Sequence, residues 1–294
     1  MARIVCCGEA MLELVRAGDS WELGYGGDTL NTAIHLARAG HDVVYLTALG
    51  SDDLSASLKE RWAAEGLDTG MVITHPRRST GLYAISTDAA GERSFSYWRD
   101  TSAAREMFAI PAMHEMLERA ASADLFVFSL ISLAILPDQG REALLALAEQ
   151  VRTGGGSVAF DGNYRPRLWD SPASARHWRD RAIACADFGL PTRDDEAQLG
   201  SGDTEAIARH WQQLGCRETI VKLGVDGCRM PDGAIIAPDA ALSPVDTSGA
   251  GDAFNAGYLA ARMSGQTPLV AAREGHALAG WTIMRRGAIP ARDG

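Results

Sequence analysis

The chain has 294 residues, of which 46% are hydrophobic and 22% are charged, and it carries a formal net charge of −10 at pH 7. This composition excludes a disordered chain and provides enough apolar material for a large core. The acidic balance argues against a dedicated nucleic-acid-binding protein, which normally presents a basic face. It does not exclude an anionic substrate, because a few arginine side chains are enough to determine the charge of one pocket.

Short β-type segments alternate with amphipathic helical segments along the chain. The predicted strands of a main sheet are residues 4–7, 43–48, 123–129, 157–161, 188–190 and 218–222. The predicted helices are residues 31–39, 53–65, 138–152, 173–185 and 204–214. This alternation is typical of βαβ units, so we expect a three-layer α/β/α domain with a mostly parallel sheet.

Two segments, residues 11–25 and 80–98, interrupt the alternation of strands and helices. Each reads as an antiparallel hairpin, with turns at Gly18 and at residues 88–91. Together they predict a small β-sheet lid, inserted at residues 10–25 and 80–100 into a single domain of residues 1–294. The alternative is a pair of edge hairpins without a functional role.

The sequence also bears on the compartment in which the protein works. The most apolar stretch, residues 125–136, is shorter than the about 20 residues that a membrane-spanning helix needs. The N-terminus lacks the long apolar region of a signal peptide. The five cysteines are odd in number and form no Cys-x-x-Cys pair, so we expect buried free thiols in a cytoplasmic protein. Neither a membrane nor a nucleic-acid partner is expected.

The most informative segment is a run of small residues at positions 246–254 that opens into an amphipathic helix. Free backbone N–H groups at a helix start form an anion site, and Gly249 and Gly251 allow the backbone to approach a phosphate closely. The carboxylate of Asp252 is suited to accept a proton from a substrate hydroxyl there. The alternative is a turn in which Asp252 only caps the helix.

A second glycine run, at residues 24–27, precedes another predicted helix. Asp28 and Asn31 follow it and offer a carboxylate and an amide. Together with backbone amides, these groups suit a ligand that is rich in hydroxyl groups. The alternative is that Asp28 or Thr29 simply caps the helix.

Two arginines in separate parts of this acidic chain point to an anionic group on the substrate. Arg99 follows the second hairpin and Arg165 follows the strand at residues 157–161. Arginine is suited to bidentate binding of a carboxylate or phosphate, although solvated surface arginines are the alternative. The strand that leaves into a glycine turn at residues 221–227 is a candidate nucleotide site or an ordinary hairpin turn.

Several well-known catalytic motifs are absent from the sequence. There is no Gly-x-x-x-x-Gly-Lys-Ser/Thr loop, which excludes a P-loop kinase, and no Gly-x-Gly-x-x-Gly after the first strand, which argues against a Rossmann dehydrogenase. No Gly-x-Ser-x-Gly elbow or His-x-x-x-His zinc pair occurs either. The seven histidines are scattered along the chain.

The segments at residues 26–33 and 246–254 resemble, in this order, the two signatures of the sugar-kinase family that includes ribokinase and phosphofructokinase B. The likeness runs from residue 7 to residue 290. Within this family, the kinases of 2-keto-3-deoxygluconate are most similar in residues 81–83, 91–99, 129–136 and 161–169. The resemblance implies a ribokinase-like fold and phosphorylation of this acid sugar at its terminal hydroxyl with ATP and Mg²⁺.

The resemblance also implies roles for individual residues. Asp252 would be the catalytic base, and the anion hole would consist of Gly249, Ala250 and Gly251. The implied substrate-binding residues are Gly27, Asp28, Asn31, Tyr83, Tyr97, Arg99, Arg165 and Asp252. The implied nucleotide-binding residues are Asn163, Lys222, Gly224, Gly227, Gly249, Gly251 and His276.

One segment departs from the family pattern. The family often has an Asn-x-x-Glu segment that organises Mg²⁺ and phosphate, but the corresponding residues 191–196 contain no asparagine. No direct metal ligand is predicted. Asp194, Asp195 or Glu196 would act on Mg²⁺ through water, and the sequence does not choose among them. It also leaves a requirement for a monovalent cation open.

Arg99 and Arg165 together would hold the substrate carboxylate, which favours an acid sugar because a neutral one would leave two desolvated guanidiniums unpaired. The alternatives are a kinase of a neutral sugar, such as fructose or ribose, and a regulator that binds a sugar acid without catalysis. An exposed apolar lid also predicts a homo-oligomer that forms through the lid.

Overall fold

The computed structural model describes residues 2–87 and 93–292, so the predicted turn at residues 88–91 lies outside the described part. In chain order the strands are β1 (Arg3–Cys7), β2 (Met11–Ala17), β3 (Ser20–Gly26), β4 (Asp42–Leu49), β5 (Val72–Thr74), β6 (Gly81–Thr87), β7 (Arg93–Trp98), β8 (Leu125–Ser129), β9 (Ser157–Asp161), β10 (Phe188–Gly189), β11 (Glu218–Thr219), β12 (Val221–Lys222), β13 (Cys228–Arg229) and β14 (Ile235–Ile236). The α-helices are α1 (Asp28–Arg38), α2 (Asp53–Ala64), α3 (Met113–Ala120), α4 (Leu130–Ala134), α5 (Asp138–Thr153), α6 (Pro172–Cys185), α7 (Arg193–Gln198), α8 (Thr204–Gln213), α9 (Ala250–Met263) and α10 (Pro268–Ile283).

The main sheet has seven parallel strands in the order β11-β10-β9-β8-β1-β4-β5. Its central strands are apolar because both faces of the sheet are covered. Successive residues of β1 point to opposite faces: Val5 and Cys7 belong to one core, and Ile4 and Cys6 belong to the other.

Helices form a layer on each face of the main sheet. Buried side chains of α1, α2, α9 and α10 pack in one core, which includes Trp62 of α2. Buried side chains of α3, α5, α6 and α8 pack in the other core, which includes Trp211 of α8. The predicted arrangement of three layers around a parallel sheet is therefore confirmed.

A small four-stranded sheet has the order β3-β2-β6-β7 and is formed by the two segments that interrupt the alternation. Strands β2 and β3 form one antiparallel hairpin, with a turn at Gly18, and β6 and β7 pair antiparallel as predicted. The two pairs are joined by parallel pairing of β2 with β6. The hairpins thus form one sheet rather than two separate edge elements.

Some predicted boundaries are wrong. The predicted strand at residues 218–222 is broken at Ile220, because β11 belongs to the main sheet while β12 turns to pair antiparallel with β13. Helix α1 begins at Asp28 rather than at residue 31. Strands β5, β13 and β14 and helices α3, α4, α7 and α10 were not predicted. All of these except α10 have eight residues or fewer, which is too short for a clear periodicity.

The five cysteines are buried free thiols, as the sequence predicted: Cys6, Cys7, Cys185, Cys216 and Cys228. Burial raises the pKa of Cys185 and of Cys216 to about 11, which leaves both thiols protonated and unreactive at neutral pH. Within residues 2–87 and 93–292, no helix combines the length and the apolar character needed to cross a bilayer.

Candidate active site

Two helix N-termini meet next to Asp252. Helix α1 begins after Gly27 and α9 begins after Gly249, and neither helix start is capped by a side chain. The amide Nδ2 of Asn31 in α1 donates a hydrogen bond to Oδ2 of Asp252 in α9 at 2.7 Å. The two glycine-rich motifs, 221 residues apart, are therefore brought into direct contact.

Neither Asp252 nor Asp28 is the N-cap residue of its helix, because a glycine occupies that position in both. Asp252 is the third residue of α9, behind an N-cap glycine, and its carboxylate bonds Asn31 instead of the backbone of its own helix start. Asp28 is the first residue of α1, and its Oδ1 accepts the N–H of the adjacent Thr29 at 2.9 Å. The N–H of Ala250 donates to the carbonyl oxygen of Thr247 at 3.3 Å, so the remaining N–H groups of the two first turns are the donors for an anionic or hydroxyl-bearing ligand.

The glycines at these helix starts are required for two different reasons. Gly249 has a φ of 69°, and a Cβ atom there would lie 2.5 Å from the Cβ of Ala288. A Cβ on Gly27 would lie 2.3 Å from the carbonyl oxygen of Glu9. A Cβ on Gly251 would lie 3.7 Å from Nζ of Lys222, an ordinary contact distance, so no close approach requires a glycine at this position.

The carboxyl group of Asp252 has a strongly perturbed proton affinity. Burial, together with the negative charges of Asp28 and Asp161, raises the pKa of Asp252 to about 8, against the opposing effects of Asn31 and Lys222. Burial also raises the pKa of Asp28. A carboxylate whose pKa lies near neutrality is a much stronger proton acceptor than an ordinary one.

A buried polar network lies behind Asp252. The ammonium Nζ of Lys222 donates to Oδ1 of Asp161 at 2.9 Å and to Oδ1 of Asn255 at 3.0 Å, and Nδ2 of Asn255 donates to Oδ2 of Asp161 at 2.9 Å. Sequence reasoning did not assign roles to Asp161 or Asn255. The sequence did contain one indication of a role for Asp161. This residue lies at the carboxyl end of β9, and ligands of parallel sheets bind beyond the carboxyl ends of the strands.

The small sheet presents tyrosines toward this site. The register of β2, β6 and β7 aligns Glu13, Tyr83 and Tyr97 on one face, and the hydroxyl of Tyr83 donates to the carboxylate of Glu13. The Tyr83 and Tyr97 ring centroids are 6.0 Å apart. A Cβ on Gly26 would lie 2.3 Å from the hydroxyl oxygen of Tyr83, so this hydroxyl lies against the glycine run that precedes α1.

The two arginines do not form the shared, desolvated pair that the sequence predicted. Arg99 is buried and donates to the carboxylate of Glu9, while its Nε has no partner among the described residues. Arg165 has a half-exposed side chain, and its Nη1 lies 3.4 Å from Oδ1 of Asp195. The two guanidiniums thus pair with separate carboxylates, and only Arg99 is removed from water.

The structure distinguishes the three acidic residues of α7. Glu196 is buried and accepts hydrogen bonds from Arg179 at 2.6 Å and Trp211 at 3.0 Å, so both of its oxygens have protein partners. Asp194 is exposed and pairs with the adjacent Arg193. Burial raises the pKa of Asp195 to about 6, and the charges of Arg165, Asp161 and Lys222 act on the same group.

The residues assigned to the nucleotide occupy different places. Gly224 and Gly227 have φ values of 64° and 97° in a tight turn. Nε2 of His276 lies 2.9 Å from the carbonyl oxygen of Ile236, and the ring lines a pocket of about 320 Å³ between residues 237–242 and α10. Asn163, in contrast, donates to Oδ2 of Asp28 at 3.2 Å and so lies beside the first turn of α1.

The chain matches the pfkB family of carbohydrate kinases over residues 1–293. A 2-dehydro-3-deoxygluconokinase of Escherichia coli (strain K12) is 39% identical over 302 residues, which cover 99% of this chain and 98% of that protein. A PfkB protein from Polaromonas sp. JS666 has a TM-score of 0.85 at 28% identity, with 99% of this chain and 98% of that chain covered. Aminoimidazole riboside kinase from Salmonella enterica, solved with aminoimidazole riboside and an ATP analog, has a TM-score of 0.82 at 25% identity, with 98% and 95% covered.

These matches confirm the resemblance on which the expected fold and chemistry rest. They extend over nearly the whole length of each protein, and the solved structures share the parallel sheet with its helical layers. The chain therefore belongs to the pfkB family of carbohydrate kinases and has the ribokinase-like fold.

Proposed function

We propose that this kinase transfers the γ-phosphoryl group of ATP to the terminal 6-hydroxyl of 2-keto-3-deoxy-D-gluconate, giving 2-keto-3-deoxy-6-phosphogluconate and ADP. The observation that carries the proposal is the Asp252 carboxylate beside the uncapped start of α9, bonded to Asn31 of the second glycine motif. The similarity to a 2-dehydro-3-deoxygluconokinase over the full chain supports the acid sugar as the acceptor.

In this reaction Asp252 accepts the proton of the terminal hydroxyl as its oxygen attacks the γ-phosphorus. The new O–P bond forms while the bond to the bridging oxygen of ADP breaks, and ADP leaves with the bonding electrons. Phosphoryl transfer depends chiefly on positioning and charge stabilisation. The backbone N–H groups at the positive end of α9, including that of Gly251, stabilise the negative charge of the transferring phosphoryl group.

The nucleotide would lie between the glycine turn at Gly224 and Gly227 and the pocket beside His276. Asp195 is the acidic residue of α7 that best fits a role toward Mg²⁺, because Glu196 has both oxygens bonded and Asp194 points to solvent. Carboxylates that hold Mg²⁺ commonly act through its bound waters. When bound with ATP, Mg²⁺ supplies neutralisation of phosphate charge.

The sugar would bind between α1 and the small sheet, which acts as a lid. Its hydroxyls would bind backbone and side-chain groups of Gly27, Asp28 and Asn31. Asn163, which is hydrogen-bonded to Asp28, lies beside these residues and would contact the sugar as well. Tyr83 and Tyr97 cover it from the lid. The substrate carboxylate would engage the unpartnered Nε of Arg99 and the half-exposed guanidinium of Arg165, which would exchange Asp195 for the substrate.

A substrate panel tests this assignment. We expect kcat/KM for 2-keto-3-deoxygluconate to exceed that for fructose or ribose by at least about 10²-fold, because a neutral sugar has no carboxylate to pair with the buried Nε of Arg99. Arg165→Ala should raise KM for the acid sugar about tenfold or more and leave KM for ATP nearly unchanged. Equal rates on acid and neutral sugars would contradict the acid-sugar assignment, and sugar binding without ADP release would favour a regulator.

We also propose that the protein is a homo-oligomer formed through the lid. Trp21, Leu23 and Trp98 are exposed and lie on the same face of the small sheet, opposite the face that carries Tyr83 and Tyr97. An exposed apolar sheet face of this kind commonly mediates association between chains. Light scattering should give a particle heavier than the 31.4 kDa chain, and a monomeric mass would contradict the proposal.

A further inference from the structure

The buried network behind Asp252 consists of three side chains that are hydrogen-bonded to one another. Lys222, Asp161 and Asn255 are only 8%, 6% and 2% exposed. Their three hydrogen bonds form a closed ring that joins β12, the end of β9 and the first turns of α9. An ammonium that is held by two interior partners has little freedom to follow a nucleotide.

We propose that Lys222 is a positioning residue for the base: with Asp161 and Asn255 it holds the start of α9 against the main sheet and sets the charge beside the Asp252 carboxylate. This inference rests on the proposed function, because it deepens the role of Asp252. It assigns Lys222 an indirect role in place of the predicted contact with ATP.

The positions of the three residues on their elements support this role. Asn255 lies three residues after Asp252 in α9, so the two side chains are neighbours on the helix surface. Hydrogen bonds that hold Asn255 in place therefore also fix the orientation of the helix turn that carries Asp252. The Lys222 ammonium lies 3.7 Å from the position that a Cβ on Gly251 would occupy. It therefore lies directly against the first turn of α9, where the N–H donors and Asp252 are located.

Titratable groups act on Asp252 from four of the elements around it. Asp28 faces it from α1, Asp161 from β9, Lys222 from β12 and the Tyr83 hydroxyl from the small sheet. The carboxylates oppose ionisation of Asp252 and the ammonium favours it. Neutralising Asp161 while Lys222 stays charged should therefore make Asp252 ionise at lower pH.

Asp161→Asn tests this prediction, because it preserves the side-chain shape and an oxygen acceptor for Lys222. In the substrate-free protein, ¹³C NMR of aspartate carboxyl carbons, with the Asp252 signal assigned from Asp252→Asn, should show a midpoint lowered by about one pH unit. The acid limb of kcat/KM should move in the same direction. An unchanged or raised midpoint would overturn the proposal, since a purely structural role would not move it downward.

The double variant Asp161→Asn/Lys222→Gln is the matched control. It removes the ammonium without leaving a buried carboxylate unpaired, so the Asp252 midpoint should return upward to near the wild-type value. Calorimetry should show nearly unchanged ATP affinity. A loss of more than about tenfold, which a lost hydrogen bond to a charged group would cause, would identify Lys222 as a nucleotide ligand instead and overturn the proposal.

The NMR experiment separates this inference from the proposed function. It requires no sugar, so the shifts would be observed even if the acid sugar were not the substrate. Conversely, turnover of 2-keto-3-deoxygluconate together with unchanged midpoints would leave the proposed function intact and remove the role of Lys222.

Discussion

Asp252→Asn is expected to lower kcat by about 10³-fold, the usual contribution of a general base, with nearly unchanged affinity for ATP. Asparagine has the shape of aspartate and can keep a bond to Asn31, but it cannot accept the hydroxyl proton. The N–H groups at the start of α9 stay in place. ADP release and calorimetric ATP binding measure the two effects, and turnover above about a tenth of the wild-type rate would contradict the base assignment.

Asp252→Asn should also change the pH dependence of the free energy of unfolding. The denaturation measurement shows at the same time whether the variant folds. Because the pKa of Asp252 is raised to about 8 in the folded chain, from about 3.9 when unfolded, the folded state binds the extra proton between these values. Wild-type stability should therefore fall as pH rises from 4 to 8, relative to that of Asp252→Asn. Urea denaturation at several pH values checks this sign. A stability difference between the two proteins that does not change between pH 4 and pH 8 would contradict it.

Arg99→Met is expected to reduce the free energy of unfolding by about 3–5 kcal/mol, because it leaves a buried carboxylate without its cation. Glu9 is 2% exposed and accepts hydrogen bonds from both Arg99 and Ser102. Glu9 lies where the chain passes from β1 to β2, and Arg99 lies where it leaves β7. The pair therefore fixes both crossings between the main sheet and the small sheet.

Two further variants control this measurement. Arg165→Met removes an arginine whose partner Asp195 lies 3.4 Å away and whose side chain is half exposed, so it should cost less than about 1 kcal/mol. Adding Glu9→Gln to Arg99→Met should recover much of the lost stability, because no unpaired charge remains in the interior. Denaturant midpoints report all three effects. Equal losses for the two single arginine variants would argue against a buried ion pair.

Much of the main fold could be predicted because its signals are local. Strands β1, β4 and β8 are continuous apolar runs, since a parallel sheet that is covered on both faces must be apolar on both. The glycine-rich turn before α9 signals a helix start open to anions, and Asp252 is the acid next to it. Both features depend on a few neighbouring residues, which can be identified without knowledge of the tertiary structure.

The roles within α7 could not be predicted, because consecutive helical residues point in directions about 100° apart. Asp194, Asp195 and Glu196 are equally acidic in the sequence. Packing of α6 and α8 against α7 turns Glu196 inward onto Arg179 and Trp211, which leaves Asp195 beside Arg165. The choice among the three was therefore decided by neighbouring helices.

By itself, the sequence determined the alternation of strands and helices, the two open helix starts and the candidate base. The tertiary structure decided which charges surround that base and which arginine is buried. Lys222 meets a carboxylate 61 residues away, and Arg99 meets one 90 residues away. No local pattern encodes such pairings, because they arise only when distant strand ends are brought to the same edge of a sheet.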